Sequence, residues 1–158
     1  MQKAIDKMRR LCSRREYCIS DIRGKLIKEL GAETDEVDVA LKQLIDEKYV
    51  DDHRYAVAFA RDKAAISGWG KTKIKYMLSS KGVARDVIAE ALAEVDDSKA
   101  SDRLLRLLEN KYKTLKDDPQ WKLKLLRFAL GRGYTYDEIN KTLMMLDKSE
   151  SVCCYEEI

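Results

Sequence analysis

The sequence predicts an all-helical protein made of three tandem three-helix repeats. Apolar residues recur at steps of three and four, several of them recur again at a constant offset of 51 residues, and no stretch shows the sustained two-residue alternation of a strand. One repeat of about 50 residues has a marginal core, so we expect the repeats to pack into an elongated, curved array. The expected boundaries are 1–50, 51–97 and 98–147, followed by a disordered tail at 148–158.

A glycine and the apolar residues after it mark each repeat. Val37, Leu41 and Leu44 have apolar counterparts at the same 51-residue offset in both later repeats. Their spacing places them on one face of a helix, so each repeat is expected to have a helix after its glycine. The alternative is that this spacing is a coincidence in a leucine-rich helical protein. The repeat glycines and the three apolar positions all share one offset, which argues against coincidence. The repeat glycines are Gly31, Gly82 and Gly133.

A further helix is predicted to open each repeat, and in the second and third repeats it begins at polar residues. Asp51 and Asp52 precede the helix in the second repeat, and Ser98 opens the helix in the third. Carboxylate and hydroxyl oxygens at these positions accept hydrogen bonds from the free N–H groups of a first turn. The predicted ranges of these helices are 3–15, 52–66 and 98–116.

The second helix of each repeat is predicted to end at the repeat glycine, which can adopt the left-handed conformation found after helices. Ser20, Thr34 and Asp118 precede helical runs and are predicted as N-caps. Pro119 is placed at a first helical position, where its missing N–H costs nothing. Together these signals predict nine helices in three triplets.

The charge of the chain alternates in sign with the predicted helices. Segments ending at residues 31, 70, 82, 110, 133 and 158 carry net charges of +5, −4, +4, −3, +5 and −4. The helix before each repeat glycine is therefore basic, and a regular stack would place the basic helices in a row that suits a polyanion or an acidic protein groove. The candidate members of this row are Arg23, Lys25, Lys28, Lys71, Lys73, Lys75, Lys122, Lys124, Arg127 and Arg132.

Aromatic residues lie beside the basic segments. Trp69 and Tyr76 flank the second basic group, and Trp121 and Tyr134 flank the third, a combination that phosphate contact with base stacking would use. For any single residue the alternative is a solvated helix face or a core aromatic. Since the third helices are acidic, they are poor readers of the DNA major groove, and we expect any DNA binding to be weak, salt-sensitive and sequence-independent.

The residues give little support for catalysis, a metal or a cofactor. His53 is the only histidine, and GWGKTK lacks the spacing of a phosphate-binding loop. The cysteines Cys12, Cys18, Cys153 and Cys154 match neither a metal-binding pair nor a disulfide framework, so we expect them to be reduced. The sequence predicts a protein that is not an enzyme and that needs no cofactor or metal.

No membrane-associated segment is predicted. No window reaches the roughly 18 uncharged apolar residues of a membrane span. The N-terminal stretch MQKAIDKMRR lacks the apolar core of a signal peptide. We expect a cytoplasmic monomer with no membrane partner.

The stretch YVDDHRYAVAFARDKAAISGWGKTKIKYMLSSKG, from Tyr49 to Gly82, has an ordered set of features. An aromatic–small–Asp-Asp turn precedes a Tyr-Ala helix, and a Gly-aromatic-Gly turn precedes a basic helix that ends in Lys-Gly. This order resembles the core signature of the RecX family, whose members consist of tandem three-helix repeats. The resemblance extends upstream through YCISDIRGKLIKEL and downstream through KLLRFALGRGYTYDEINKTL, so it spans nearly all of the chain.

The resemblance implies binding along the groove of a RecA filament on single-stranded DNA, with inhibition of filament growth, ATP turnover and strand exchange. Lys71, Lys73 and Lys75 are then the best contact candidates, with Trp69 beside them. Two alternatives stay open: a sequence-independent nucleic-acid-binding helical protein without a recombinase partner, and a helical adaptor for another acidic protein. The positions expected to shape caps and turns are Asp51, Asp52, Gly31, Gly68, Gly70, Gly82 and Gly133.

Overall fold

A computed structural model describes the backbone of residues 1–153 and the side chains of residues 1–146. That part of the chain contains nine α-helices, one 3-10 turn and no strand, which confirms the predicted all-helical class. The helices are α1 (Gln2–Cys12), α2 (Ile19–Leu30), α3 (Asp35–Asp46), α4 (Asp52–Ala65), α5 (Lys71–Ser80), α6 (Arg85–Ala93), α7 (Ala100–Leu115), α8 (Trp121–Gly131) and α9 (Tyr136–Cys153).

The described chain divides into two compact units. Unit 1 comprises Met1–Ala60 and Met77–Glu94, and unit 2 comprises Arg61–Tyr76 and Val95–Ile158. The division falls inside α4 and inside α5. Within the described helices, none is long and apolar enough to cross a bilayer.

The end of the chain was predicted to be a disordered tail over residues 148–158. Helix α9 runs into this segment as far as Cys153. Residues 154–158, and all side chains from residue 147 onward, lie outside the described residues. The tail therefore stays a prediction.

The core of unit 1 is built from the apolar faces of α1, α2 and α3. Ile5 of α1, Ile22 and Leu26 of α2, and Val37 and Leu44 of α3 are all fully buried in one cluster. The steps of three and four seen in the sequence therefore reflect burial on one helix face. Burying an aliphatic side chain of this size contributes roughly 1.5–3 kcal/mol.

The core of unit 2 is built in the same way from α7, α8 and α9. Leu104 and Leu108 of α7, Leu125 of α8 and Ile139 of α9 are buried by at least 98%. Tyr134, in the turn between α8 and α9, is 6% exposed and belongs to the same cluster.

The start of α2 differs from the prediction. The helix begins at Ile19 with Cys18 at its N-cap position, so Ser20 lies inside the helix and is not its cap. The Ile19 N–H instead donates a hydrogen bond of 2.8 Å to Oδ1 of Asp52, at the start of α4. The Ser20 hydroxyl donates to the carbonyl oxygen of Lys81 at 2.7 Å. Contacts with distant segments therefore replace the local cap.

Two other predicted starts are displaced along the chain. Pro119 lies in the turn before α8, so its placement at a first helical position is wrong. Asp118 still accepts a hydrogen bond of 2.9 Å, from the N–H of Gln120. Ser98 lies in a 3-10 turn before α7, where its N–H donates to Oδ1 of Asp96 at 3.0 Å.

Asp51 and Asp52 cap different helices, which gives a testable difference. Oδ1 of Asp51 accepts the Arg54 N–H at 3.1 Å within the first turn of α4, whereas Asp52 connects α4 to α2 through Ile19. Partial burial raises the pKa of Asp52 above its ordinary value. We expect Asp52→Ala to lower the free energy of unfolding by about 1–2 kcal/mol, and Asp51→Ala by about 0.5–1 kcal/mol. Urea unfolding measures the loss of stability in each variant. Equal losses would contradict the view that Asp52, by bonding to α2, stabilises the protein more than the local cap Asp51.

Candidate functional site

The predicted basic residues are distributed over both units. Helix α2 carries its group within unit 1, while the start of α5 and helix α8 carry theirs within unit 2. Each unit therefore has its own basic surface. The unit 1 group is Arg23, Lys25 and Lys28, and the unit 2 groups are Lys71, Lys73, Lys75, Lys122, Lys124, Arg127 and Arg132.

In unit 1, Arg23 is held by the acidic helix α3. Two nitrogens of its guanidinium group lie 2.9 and 2.7 Å from Oδ1 of Asp38. Lys25 lies with its Nζ atom 5.4 Å from the centre of the Tyr17 ring, and Lys28 is exposed. Lys25 and Lys28 are therefore the predicted residues of α2 that remain open to an outside anion.

A polar cavity of about 350 Å³ adjoins Lys25 and Lys28 in unit 1. Nζ of Lys81 lies 2.8 Å from Oδ1 of Asp21 at its edge. Burial raises the pKa of Asp21, but hydrogen bonds with Lys81 and Cys18 and the positive charges of Lys81 and Lys25 together hold this pKa below its ordinary value. We call this cavity the unit 1 cavity; its lining is Arg15, Tyr17, Ser20, Asp21, Gly24, Lys25, Lys28 and Lys81.

In unit 2, the loop between α4 and α5 is fixed to the end of α8. The Gly70 N–H donates to the carbonyl oxygen of Arg132 at 2.8 Å, and the hydroxyl of Tyr134 donates to the carbonyl oxygen of Gly68 at 2.9 Å. Burial raises the pKa of Tyr134 above its ordinary value. Tyr134 therefore belongs to the core of unit 2 and is not an open surface for base stacking.

Trp69 lies in this loop and is flanked by two lysines. The Nζ atoms of Lys63 and Lys73 lie 4.7 and 4.3 Å from the centre of its ring. Cation–π contacts of this kind contribute about 0.5–1 kcal/mol at exposed positions. A base could stack on a covered face of Trp69 only by displacing an ammonium group. Tyr76 is the more accessible aromatic, with 72% of its surface exposed.

The three lysines at the start of α5 differ in their surroundings. Nζ of Lys71 lies 2.7 Å from Oδ1 of Asp97, and Lys73 contacts Trp69. Lys75 is exposed and, within the described residues, forms no ion pair. A partner that binds this segment therefore meets Lys75 without first breaking an internal contact.

On α8 and at Arg132, which directly follows it, the predicted contact residues also divide into side chains with internal partners and open side chains. Lys124 forms an ion pair with Asp118, and Arg132 donates to the carbonyl oxygen of Ser67 at 3.2 Å. Arg127 is exposed and has no ion pair among the side chains that the structure describes. Lys75 and Arg127 are therefore the open cations that we assign to the unit 2 surface.

Sequence reasoning missed Arg15, Lys63 and Lys81. In the structure, Arg15 follows the end of α1 and Lys81 follows the end of α5. Lys63 lies in the segment 32–70, whose net charge of −4 gave no sign of a basic surface. The Lys-Gly that ends the basic segment contains Lys81 and was the one available signal for it.

The side chains of residues 1–146 include no group of three or more His, Cys, Asp or Glu residues that could hold a metal ion. Nε2 of His53 lies 3.2 Å from Oε2 of Glu90. Cys12 and Cys18 are free thiols, and burial raises the pKa of both, which lowers their nucleophilicity. The side chains of Cys153 and Cys154 lie outside the described residues.

The fold and its surfaces define an all-helical protein of three-helix repeats with clustered cations on its surface. Residues 51–92 match the second three-helix domain of RecX, and residues 99–143 match the third three-helix domain of RecX. The chain belongs to the RecX family.

Relatives named regulatory protein RecX extend the similarity along the chain. The protein from Legionella pneumophila (strain Corby) is 33% identical over 150 residues, which cover 94% of this chain and 98% of that protein. The protein from Clostridium perfringens (strain 13 / Type A) is 34% identical over 134 residues, which cover 82% of this chain. The match spans 62% of the length of the Clostridium perfringens protein.

Two solved structures share the fold. The crystal structure of RecX from Lactobacillus salivarius has a TM-score of 0.76 at 24% identity and covers 93% of this chain and 99% of that one. A second crystal structure of regulatory protein RecX has a TM-score of 0.78 at 23% identity and covers 88% of this chain and 69% of that one. At these identities the similarity concerns the arrangement of the helices.

Proposed function

We propose that this protein binds a RecA filament on single-stranded DNA and inhibits its ATP hydrolysis, extension and strand exchange. The observation that carries the proposal is the match of residues 51–92 and 99–143 to two successive RecX domains. The relatives of the chain are named regulatory proteins, which supports a regulatory role. We infer RecA as the partner from membership of the RecX family.

The open cations of unit 2 support a partner with negative charge. Lys75 and Arg127 are not neutralised by carboxylates of the described chain, so their field reaches an approaching anion. Charges of this kind speed association and fix orientation more than they add affinity. Helix α3 carries three acidic residues in its first turn and repels phosphate, which disfavours reading of a DNA groove by that helix.

Titration of the protein into preformed RecA filaments tests the proposal, with ATP hydrolysis as the measurement. We expect hydrolysis to fall at protein concentrations too low to coat the single-stranded DNA, because binding to the filament does not require free DNA. Excess competing DNA should leave the inhibition unchanged. Inhibition only at DNA saturation, or its relief by competing DNA, would contradict filament binding.

The alternative function is binding of single-stranded nucleic acid without a recombinase. The exposed Tyr76 beside Lys75 favours it, since stacking and phosphate contact act together in such proteins. This function predicts DNA binding in the absence of RecA that weakens steeply as salt rises. Fluorescence anisotropy of a labelled oligonucleotide over a salt series measures that dependence.

A further inference from the structure

We infer that the unit 1 cavity is a binding site for a phosphate group. Its lining contains four cationic side chains and one carboxylate, and its volume is about 350 Å³. That volume exceeds the roughly 30 Å³ share of one water molecule many times, so a phosphate group fits together with bridging water. The inference does not depend on a recombinase partner.

Most of the positive charge in the cavity is not neutralised. Lys81 is paired with Asp21 at 2.8 Å, whereas Arg15, Lys25 and Lys28 form no ion pair within the described part of the chain. Like charges that converge on one cavity repel each other, and a bound anion removes that repulsion. The net charge of the lining therefore favours an anion.

Tyr17 positions two of these cations. Tyr17 is only 8% exposed, the guanidinium carbon of Arg15 lies 4.4 Å from its ring centre, and Nζ of Lys25 lies 5.4 Å from that centre. Contact with a fixed ring restricts both side chains before a ligand arrives, so less conformational entropy is lost on binding. The planar guanidinium group can then donate two parallel hydrogen bonds to phosphate oxygens.

Gly24 provides an independent observation. It lies inside α2, where glycine lowers helix stability relative to alanine. Its backbone is not left-handed, and an added Cβ would meet no atom within 4 Å, so neither strain nor packing requires glycine here. Gly24 shares a helix face with Asp21, Lys25 and Lys28, and its missing side chain leaves room in the cavity.

NMR titration of the full chain tests the site, with inorganic phosphate and a short single-stranded thymidine oligonucleotide as probes. We expect the backbone amide signals of Gly24 and Lys25 to shift with either probe. Arg15→Gln and Lys28→Gln should each weaken binding about fivefold or more, because each removes one direct charge contact. Lys42→Gln, an exposed lysine on α3 outside the cavity, is the matched control and should leave binding unchanged.

Gly24→Ala separates binding from folding. Alanine should raise the midpoint of thermal unfolding by about 1–4 °C, because it favours the helix, while its methyl group takes up space beside Lys25 and Lys28 and so weakens phosphate binding. Unchanged phosphate binding in this variant would overturn the role assigned to Gly24.

The two probes distinguish the sources of the phosphate. Tighter binding of the oligonucleotide at equal phosphate concentration supports a nucleic-acid backbone as the ligand, and equal binding supports a free phosphate compound. The absence of amide shifts with both probes would overturn the site. So would equal weakening by Lys42→Gln, or equal shifts with polyglutamate, which offers carboxylates in place of phosphates.

Discussion

Replacement of Gly133 by alanine is expected to lower the free energy of unfolding by about 2–5 kcal/mol. The backbone of Gly133 has φ = +93°, a left-handed conformation that costs other residues roughly 1–2 kcal/mol. An added Cβ would also lie 2.6 Å from the backbone nitrogen of Lys73, and overpacking of this kind costs roughly 1–3 kcal/mol. The neighbouring Thr72 N–H donates to the carbonyl oxygen of Gly133 at 3.2 Å, which restricts any shift that would relieve the contact.

Gly31 provides the matched control because it occupies the same position of the repeat. Its φ is +81°, but a Cβ there would meet nothing within 4 Å. Gly31→Ala should therefore cost only the backbone term, about 1–2 kcal/mol. Gly70→Ala isolates the steric term, since Gly70 is not left-handed and its Cβ would lie 2.7 Å from the backbone nitrogen of Tyr134. Urea unfolding followed by circular dichroism measures all three, and equal losses at Gly31 and Gly133 would show that the close approach has no energetic effect.

Charge reversal of Lys71, Lys73 and Lys75 to glutamate is expected to raise the protein concentration that half-inhibits filament ATP hydrolysis by about 30-fold or more. Three reversals exchange attraction for repulsion at three positions, and a total of roughly 2 kcal/mol corresponds to that ratio. The measurement is the same hydrolysis titration that tests filament binding. An unchanged half-inhibiting concentration would exclude this segment of α5 as the contact.

The single variant Lys75→Glu makes the result interpretable. Lys71 contacts Asp97 and Lys73 contacts Trp69, so reversing their charges also removes contacts within unit 2. The midpoint of thermal unfolding of each variant must therefore be compared with that of the unaltered protein. Lys75 has no such contact in the described residues and should account for about a 3–10-fold effect by itself. Lys42→Glu carries the same charge change on α3 and should have no effect.

The helices could be predicted from the sequence because burial imposes a local spacing. Leu26 and Leu44 are fully buried on the faces that steps of three and four predict. The cap of α2 could not be predicted, because Asp52 lies 33 residues away from Ile19 and a tertiary hydrogen bond replaces the local signal from Ser20. Sequence signals for the start and end of a helix reflect only hydrogen bonds with residues nearby in the chain.

The sequence predicted the positive charge of the candidate site, but it did not predict which basic side chains form ion pairs within the protein. The basic groups of α2, α5 and α8 follow directly from the sequence, yet Arg23 is engaged by Asp38, which follows it by 15 residues. The unit 1 cavity joins Arg15 and Lys81 from segments that no linear pattern connects. The elongated, curved array and the row of basic helices stay predictions.

The attachment of the α4–α5 loop to the end of α8 has a consequence for synthesis of the protein. Ser67 and Gly68 bond to Arg132 and Tyr134, partners 65 and 66 residues further along the chain. Closing a long loop costs entropy and slows folding, and on the ribosome the later partner does not yet exist. Trp69 and its neighbours are therefore synthesised before the residues that they pack against. About 65 further residues must be added, at about 5–20 residues per second, before unit 2 can fold around this loop.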